Sequence, residues 1–510
     1  MIISLSVLVI TIIVSGTYAL YKAQLSKNIG VNTTTHGLAY YINYVKGTDI
    51  TAATLNPSTS YEGGASSDIE FWKKDDSYDI YGKIELTVNT IGTNLSNSPA
   101  LKYAVVNNGN VLKEGSLKGT TSGSKVTILK NLYLEQTKQI YTVYVWLDNS
   151  EELGNISNES LSISVDCTAS LQKEPTAADT IISLYTSAAK VTATNNSITY
   201  NTAPSVSLMN DRLGGTTTDL DDGNIRYYGA SPNNYIYFNC SDYSNQTSST
   251  CETWRIIGVF DGKLKLIKSE SIGAYSWDNK DTSTGAENDT GKNDWTTARL
   301  MKLLNPSNYY KVDSNDNNLG QSLYYNSASG KCYSGQNNAT VDCDFTSTGI
   351  KNAETRNMIA ETTYNLGGWN SNSVYSNQIY EYERGTTVYS GRPTTWKGKI
   401  ALAYPSDYGY AADLNQCKDK TLYDYDNRTC TSNNWMKAII TNNGSNTGWL
   451  LTPRSGSSSN AWYVNSGGFV SRDSIAYVAY GAVPVLSLSS ELGIESGGDG
   501  SSSKPYKLSA

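Results

Sequence analysis

Trp449-Leu-Leu-Thr-Pro453, Ala461-Trp-Tyr-Val464, Gly468-Phe-Val470, Tyr477-Val-Ala-Tyr480 and Pro484-Val-Leu-Ser-Leu488 follow one another near the end of the chain. Each is a short run rich in β-branched and aromatic residues, bounded by Ser, Asn or Gly, and reads as a strand between polar turns. Trp449 and Trp462 stand beside aliphatic residues and are expected in the core, because a Trp in such company usually packs. The intervening segments Arg454-Ser-Gly-Ser-Ser-Ser-Asn460 and Ser471-Arg-Asp-Ser474 are small, polar and charged, and are expected at the surface.

The unit holding these strands runs from residue 206 to about 490. It opens with strands at Tyr235-Ile-Tyr-Phe238 and Trp254-Arg-Ile-Ile-Gly-Val-Phe260. Asp261-Gly262 then marks a tight hairpin turn, and Lys263-Leu-Lys-Leu-Ile-Lys268 returns from it. Helices are expected from Trp295 to Leu304 behind Asp294 as N-cap, and from Ile350 to about Leu366 behind Thr348. Another is expected from Asn433 to about Thr441. Six of the seven cysteines form local pairs, Cys240 with Cys251, Cys332 with Cys343 and Cys417 with Cys430, each bracketing a turn-rich segment. That is the pattern of hairpin loops closed by disulfides in an oxidising compartment. No spacing of Cys or His suits a zinc site. Cys167 is left over, as a lone thiol or half of an intermolecular bridge.

Trp254-Arg-Ile-Ile-Gly258, Trp449-Leu-Leu-Thr-Pro453, Ala461-Trp-Tyr-Val-Asn-Ser-Gly-Gly468 and Pro484-Val-Leu-Ser-Leu488 stand in a fixed order. That order resembles the C-type-lectin-type fold shared by sulfatase-modifying-factor-like domains and by the variable proteins diversified by retroelements. The resemblance covers roughly residues 206 to 490 and is densest over 449 to 488. It implies that the tryptophans and the apolar ladder are scaffold. The exposed residues between them would form a ligand face that adenine-directed mutagenesis can change. Where the family pattern carries Arg before the Pro-Val-Leu strand, this chain has Gly481-Ala-Val-Pro484, so any role of that Arg is unfilled.

The ligand face so implied comprises Arg454, Ser455, Ser457, Ser458, Ser459, Asn460, Tyr463, Asn465, Ser471, Arg472, Asp473, Ser474, Tyr477 and Tyr480. Tyr, Ser and Asn suit an adaptable binding surface: a rigid amphipathic ring gives area, and small polar groups give hydrogen bonds. The alternative is that these are solvated loops in a Ser- and Asn-rich chain. Catalysis finds little support. The sole histidine, His36, lies in the N-terminal block, so a Ser-His-Asp or Cys-His arrangement would have to form in the wrong domain. Formylglycine-generating relatives need a reactive cysteine pair, whereas Cys417 and Cys430 are spaced like another closed hairpin. Nothing singles out a pair of carboxylates for glycoside hydrolysis. No cofactor is expected, with calcium as the open question. Asp313-Ser-Asn-Asp-Asn-Asn318 begins like an EF-hand loop, but Asn318 and Tyr324 stand where Gly and Glu are needed. Asp219-Leu-Asp-Asp222 is similarly ambiguous.

Towards the N-terminus, residues 173 to 205 read as a linker with one short helix, Thr176 to Tyr185, bounded by Pro175 and Pro204. Residues 23 to 172 alternate apolar and polar positions in runs such as Tyr78 to Val88, Leu101 to Val106, Lys125 to Leu129, Gln139 to Leu147 and Leu161 to Val165. Punctuated by Gly, Asn and Ser, they predict a β-sandwich. Ile2 to Leu20 is almost wholly apolar, and residues 1–22 read as a signal peptide cleaved after Ala19, or as an uncleaved anchor. Gly16-Thr-Tyr-Ala-Leu-Tyr21 followed by a strand-rich domain resembles the camelysin and biofilm matrix-fibre family, which implies a cell-surface or matrix location. Residues 491 to 510 are Gly/Ser-rich and read as a flexible tail.

The composition agrees with export. The 510 residues include 39 Tyr, 10 Trp and 42 Gly against 5 Phe and 1 His, as in an extracellular β-rich protein. A net charge of −7 argues against a nucleic-acid surface, which needs a basic patch. The expected fold is multidomain: an N-terminal all-β sandwich, then an α+β C-type-lectin-type domain with long disulfide-closed loops. The expected function is an exported, adhesin-like binder of a surface glycan or protein, touching the membrane through its N-terminal segment if that is uncleaved. The rivals are a secreted glycan-acting enzyme of the same fold and a fibre subunit assembling through the sandwich.

Overall fold

The computed structural model describes residues 23–24, 41–51, 55–149, 151, 153, 155–156, 159–214, 223–243, 245–279, 290–311, 319–442 and 445–509. The expectations for the apolar segment 1–22, for His36 and for the acidic stretches 219–222 and 313–318 lie outside these residues. The chain divides into two compact units, Met1–Glu174 and Pro175–Ala510. Among the described residues no helix is long and apolar enough to cross a membrane.

The first unit is two sheets around one core. One has the strand order Ala23–Gln24, Leu161–Ser170, Tyr81–Ile91, Lys125–Tyr133. The other runs Ile42–Val45, Ala65–Lys73, Ile140–Asp148, Leu101–Asn107, Asn110–Ser116. Strand periodicity dictates the core: in Tyr81–Ile91 the residues Gly82, Ile84, Leu86 and Val88 are buried and their neighbours are not. Phe71 and Val143 from one sheet meet Ile84, Leu86 and Val165 from the other. Cys167 belongs to this core and is wholly buried, which keeps a partner thiol away and excludes the intermolecular bridge while the unit is folded. Burial also pushes its thiol pKa up.

The second unit begins earlier than the sequence suggested, and the expected linker is part of it. Helix Ala177–Ser187 starts with a capping box in which the Asp179 amide donates to Thr176 Oγ1 at 3.1 Å and the Thr176 amide to Asp179 Oδ2 at 2.9 Å. It buries Ala177, Ala178, Ile181 and Tyr185 in the main core. Strands Val191–Asn195 and Ile198–Ala203 then open a nine-stranded sheet. The sheet continues through Leu208–Asn210, Ile225–Tyr227, Glu252–Phe260, Lys263–Lys268, Val485–Ser487 and Ile400–Ala401, with Tyr235–Phe238 also on Glu252–Phe260. Asp261 and Gly262 both take positive φ, 48° and 69°, as the hairpin turn requires.

The supposed flexible tail is also folded. Gly493–Ile494 pairs with Leu508–Ser509, and Tyr506 exchanges backbone hydrogen bonds with Tyr235 and Tyr237 at 2.9 Å each. Leu492, Tyr506 and Leu508 join the main core, so a few apolar residues are enough to order a Gly/Ser-rich stretch.

The helices are shorter than their periodicity suggested. Asp294 caps only a turn, accepting from the Thr296 amide at 3.1 Å, and the helix is Arg299–Leu304. The second helix spans Ala353–Met358, capped by Asn352 rather than Thr348. Thr362–Asn365, rich in strand-favouring residues, pairs instead with Thr395–Gly398. The third is Met436–Thr441. Helices Ser376–Arg384 and Pro405–Tyr410 were not foreseen. The three disulfides pair as expected, Cys240–Cys251, Cys332–Cys343 and Cys417–Cys430.

Candidate functional site

The candidate residues sit on and beside a five-stranded sheet in the order Ala274–Ser276, Ala479–Gly481, Gly448–Pro453, Asn460–Val464, Val470–Ile475. Every residue of Gly448–Pro453 is buried. Trp449 and Leu451 join the main core, while Leu450, Trp462, Val464 and Val470 join a second core. The sheet is therefore a platform packed on both faces. The Trp449 indole N–H donates to the Tyr275 carbonyl at 2.9 Å, and that of Trp277 to the Leu450 carbonyl at 3.1 Å. Both tryptophans of the opening stretch are scaffold.

Loop 454–460 is tied to this platform by Asn293, which is wholly buried. Its Nδ2 donates to the carbonyls of Arg454, Ser457 and Asn460 at 3.1, 2.8 and 2.9 Å, and its backbone N–H to that of Ser458 at 3.0 Å. Arg392 donates to the Ser458 carbonyl at 2.9 Å and to Asn293 Oδ1 at 3.3 Å.

Two arginines hold the next layer. Arg454 Nε donates to Asn370 Oδ1 at 2.7 Å and its Nη1 to Asp473 Oδ1 at 2.5 Å. Arg472 Nε donates to the Asn370 carbonyl at 2.8 Å, and its Nη1 to Asn372 Oδ1 at 3.0 Å and Asp473 Oδ2 at 2.8 Å. Beside Asn370, the Trp369 indole stacks on Tyr382, with centroids 4.0 Å apart and planes at 10°. On the sheet, the Tyr463 and Tyr480 rings lie 5.3 Å apart, and Trp449 lies 4.7 Å from Tyr480. Partial burial pushes the Tyr463 phenol pKa up.

Not every candidate faces solvent. Ser459, Ser471 and Ser474 are buried, so the expectation that they form part of an exposed face is corrected. Ser471 and Ser474 belong to strand Val470–Ile475, opposite Tyr463 and Ala461. Asn465 forms a turn, its Oδ1 accepting from the amides of Gly467 at 2.8 Å and Gly468 at 3.2 Å. Ser457 Oγ likewise accepts from the Ser459 and Asn460 amides. Arg454, Ser455, Ser458, Asn460, Tyr463, Arg472, Tyr477 and Tyr480 are half-buried, and Asp473 is exposed. Asn293, Trp369, Asn370, Asn372 and Arg392 were missed. They lie some 60 to 180 positions upstream of the strands they serve, and no local pattern marks them.

Charged groups elsewhere in this unit serve the scaffold. Arg226 Nε donates to Asp211 Oδ2 at 2.5 Å and Nη1 to Asp407 Oδ1 at 3.0 Å, while Lys265 pairs with Asp407, all four being buried. Burial pushes the Asp407 carboxyl up, but the Lys265 and Arg226 charges outweigh it and hold the pKa low. Burial raises Asp278 to about 6 and, against the pull of Arg384, Glu383 to about 7. Glu383 accepts from the Ser406 amide and hydroxyl, at 2.9 and 2.5 Å. Among the described residues no group of three His, Cys, Asp or Glu side chains is placed to hold a metal ion.

No protein-family model matches the chain, and no curated protein matches it. Among solved structures, the receptor-binding domain of botulinum neurotoxin mosaic serotype C/D is 11% identical over 53% of this chain and 76% of its own, with a TM-score of 0.15. The botulinum neurotoxin serotype D ligand-binding domain in complex with N-acetylneuraminic acid is 10% identical over 50% of this chain and 74% of its own, with a TM-score of 0.14. Likeness at that level carries no argument for fold or function.

Proposed function

We propose that this chain is an exported, surface-attached binding protein. Its second unit, of C-type-lectin type, recognises a glycan or protein through the face around residues 454 to 480. The observation that carries this is the division of labour at the sheet. A platform packed on both faces presents a loop fixed by a buried Asn, two anchored arginines and half-exposed tyrosines. Such a surface loses little conformational freedom when it binds, which lowers the cost of recognition. Three disulfide-closed loops in the same unit fit an oxidising location. Asp278 and Glu383, the two carboxylates that burial raises to about 6 and about 7, are wholly buried and so are closed to a glycan substrate. The test is a screen of the full chain against immobilised glycans and surface proteins, repeated with Ser455→Trp to obstruct the loop. A ligand bound equally well by both would place recognition elsewhere.

A second reading, a fibre subunit, has one observation in its favour. Among the described residues strand Asn110–Ser116 ends its sheet and exposes Val111 and Leu112, and an open edge of this kind is a template for another strand. Fibres formed by the full chain and lost with Leu112→Lys would support it.

A further inference from the structure

We propose that Arg454 and Arg472 make this face selective for a saccharide that carries a carboxylate. The inference rests on the binding reading above and adds the class of ligand. Asp473 bridges the two guanidinium groups, taking one on each carboxylate oxygen, at 2.5 and 2.8 Å. Asn370 fixes both Nε atoms, one through its side chain and one through its carbonyl. With Nε and Nη1 engaged on each arginine, the Nη2 amino groups have no protein partner among the described residues. Two positive charges face one negative one, so the cluster is short of one anion, on a chain whose net charge is −7. A carboxylate meets that deficit and offers planar oxygens to guanidinium N–H groups that are already oriented.

The surroundings favour a sugar over an acidic peptide. The half-buried Trp369 indole, backed by Tyr382, gives a flat apolar surface on the residue before Asn370, which holds both arginines. Such a surface suits the C–H face of a pyranose. Ser455 and Ser458, whose side chains hold no hydrogen bond among the described residues, supply hydroxyls for sugar hydroxyls in the loop that begins at Arg454. The arginine side chains are 23% and 21% exposed, reachable yet partly shielded from salt.

The probe is a galacturonic acid oligomer, compared with its fully methyl-esterified form and with an oligoglutamate peptide, each titrated into the full chain. The esterified oligomer keeps every ring and loses only the charge. The acid form is expected to bind about tenfold or more tightly than the ester. Arg454→Gln and Arg472→Gln should each weaken it about tenfold, and Arg472→Lys should restore only part, because an ammonium keeps the charge but cannot hold Asn370, Asn372 and Asp473 and still present an oriented N–H to the ligand. Equal binding of acid and ester overturns the inference, as does failure of both sugars to bind or tighter binding of the peptide. So does loss of binding in the Gln variants that merely follows a fall in melting temperature while Arg472→Lys binds normally. A neutral glycan or protein still blocked by Ser455→Trp would leave the binding reading standing without this ligand class.

Discussion

Asn293→Ala separates the platform from the loop it carries. The Nδ2 group has two hydrogens for three carbonyl acceptors, those of Arg454, Ser457 and Asn460, so one hydrogen is shared. Truncation removes about two net hydrogen bonds at about 1 kcal/mol each and leaves carbonyls at a buried site without their donor. Arg392 loses an acceptor as well. The backbone N–H to Ser458 survives this substitution, which limits the damage. The expected cost is about 2–4 kcal/mol, against a total of about 5–15 for a domain. Asn293→Asp should cost more, because an isosteric oxygen then faces carbonyl oxygens. Urea unfolding followed by tryptophan fluorescence reads the second unit selectively, since all the tryptophans except Trp72 and Trp146 lie in it. The midpoint should fall at an unchanged slope. Hydrogen exchange should show the amides of 457–460 losing protection first. A loss below about 0.5 kcal/mol with loop protection unchanged would refute the claim that Asn293 orders the loop.

Three further outcomes follow from the scaffold. Asp407→Asn leaves the buried Lys265 without its carboxylate and Arg226 with Asp211 alone, and should cost about 3–5 kcal/mol in the same unfolding experiment. Glu383 holds its proton more tightly when folded, so its contribution is complete below the usual glutamate range and is lost as pH rises to about 7. Glu383→Gln should therefore flatten the stability profile between about pH 5 and about pH 8, and an unchanged slope would show that another group sets it. Replacing Cys417 and Cys430 together by Ser should cost about 3 kcal/mol, from a loop of 13 residues, measured against the oxidised parent.

The platform was legible because its signals are local. Alternation located five strands of the first unit but not Ile42–Val45, Ala65–Lys73 or Asn110–Ser116, and the cysteine spacings pointed to all three pairings. Trp449 and Trp462 declared themselves as core by their aliphatic neighbours. Helix lengths were not legible. Thr362-Thr-Tyr364 follows helix Ala353–Met358 directly, and only its pairing with Thr395–Gly398 decides that it is a strand. The two misread boundaries have the same cause. Tyr185 and Leu492 lie in segments that look loose by composition, yet both reach the main core from positions far apart in the chain. Half of the site was hidden in this way. Asn293 and Asn370 each act on carbonyls, side chains and charges that arrive later in sequence, and an Asn in a polar stretch gives no sign of that.

The internal hydrogen bonds also sort which positions of the face are free to vary. Asn465 and Ser457 each hold two backbone amides, so changing either costs the turn it makes. Ser459, Ser471 and Ser474 are buried, and a larger side chain there would press into close-packed neighbours. Ser455, Ser458 and Tyr477 have half-buried side chains with no hydrogen bond among the described residues, so substitution there touches recognition more than folding. Arg454 and Arg472 stand between the two groups, because their Nε and Nη1 groups hold the scaffold while Nη2 has no protein partner among the described residues. A surface built this way can vary at a few positions while the asparagines and serines beneath keep the loops in place. The small polar residues that made the whole stretch look like one variable loop thus divide into a structural majority and a minority, Ser455 and Ser458, whose side chains are left open for the proposed recognition.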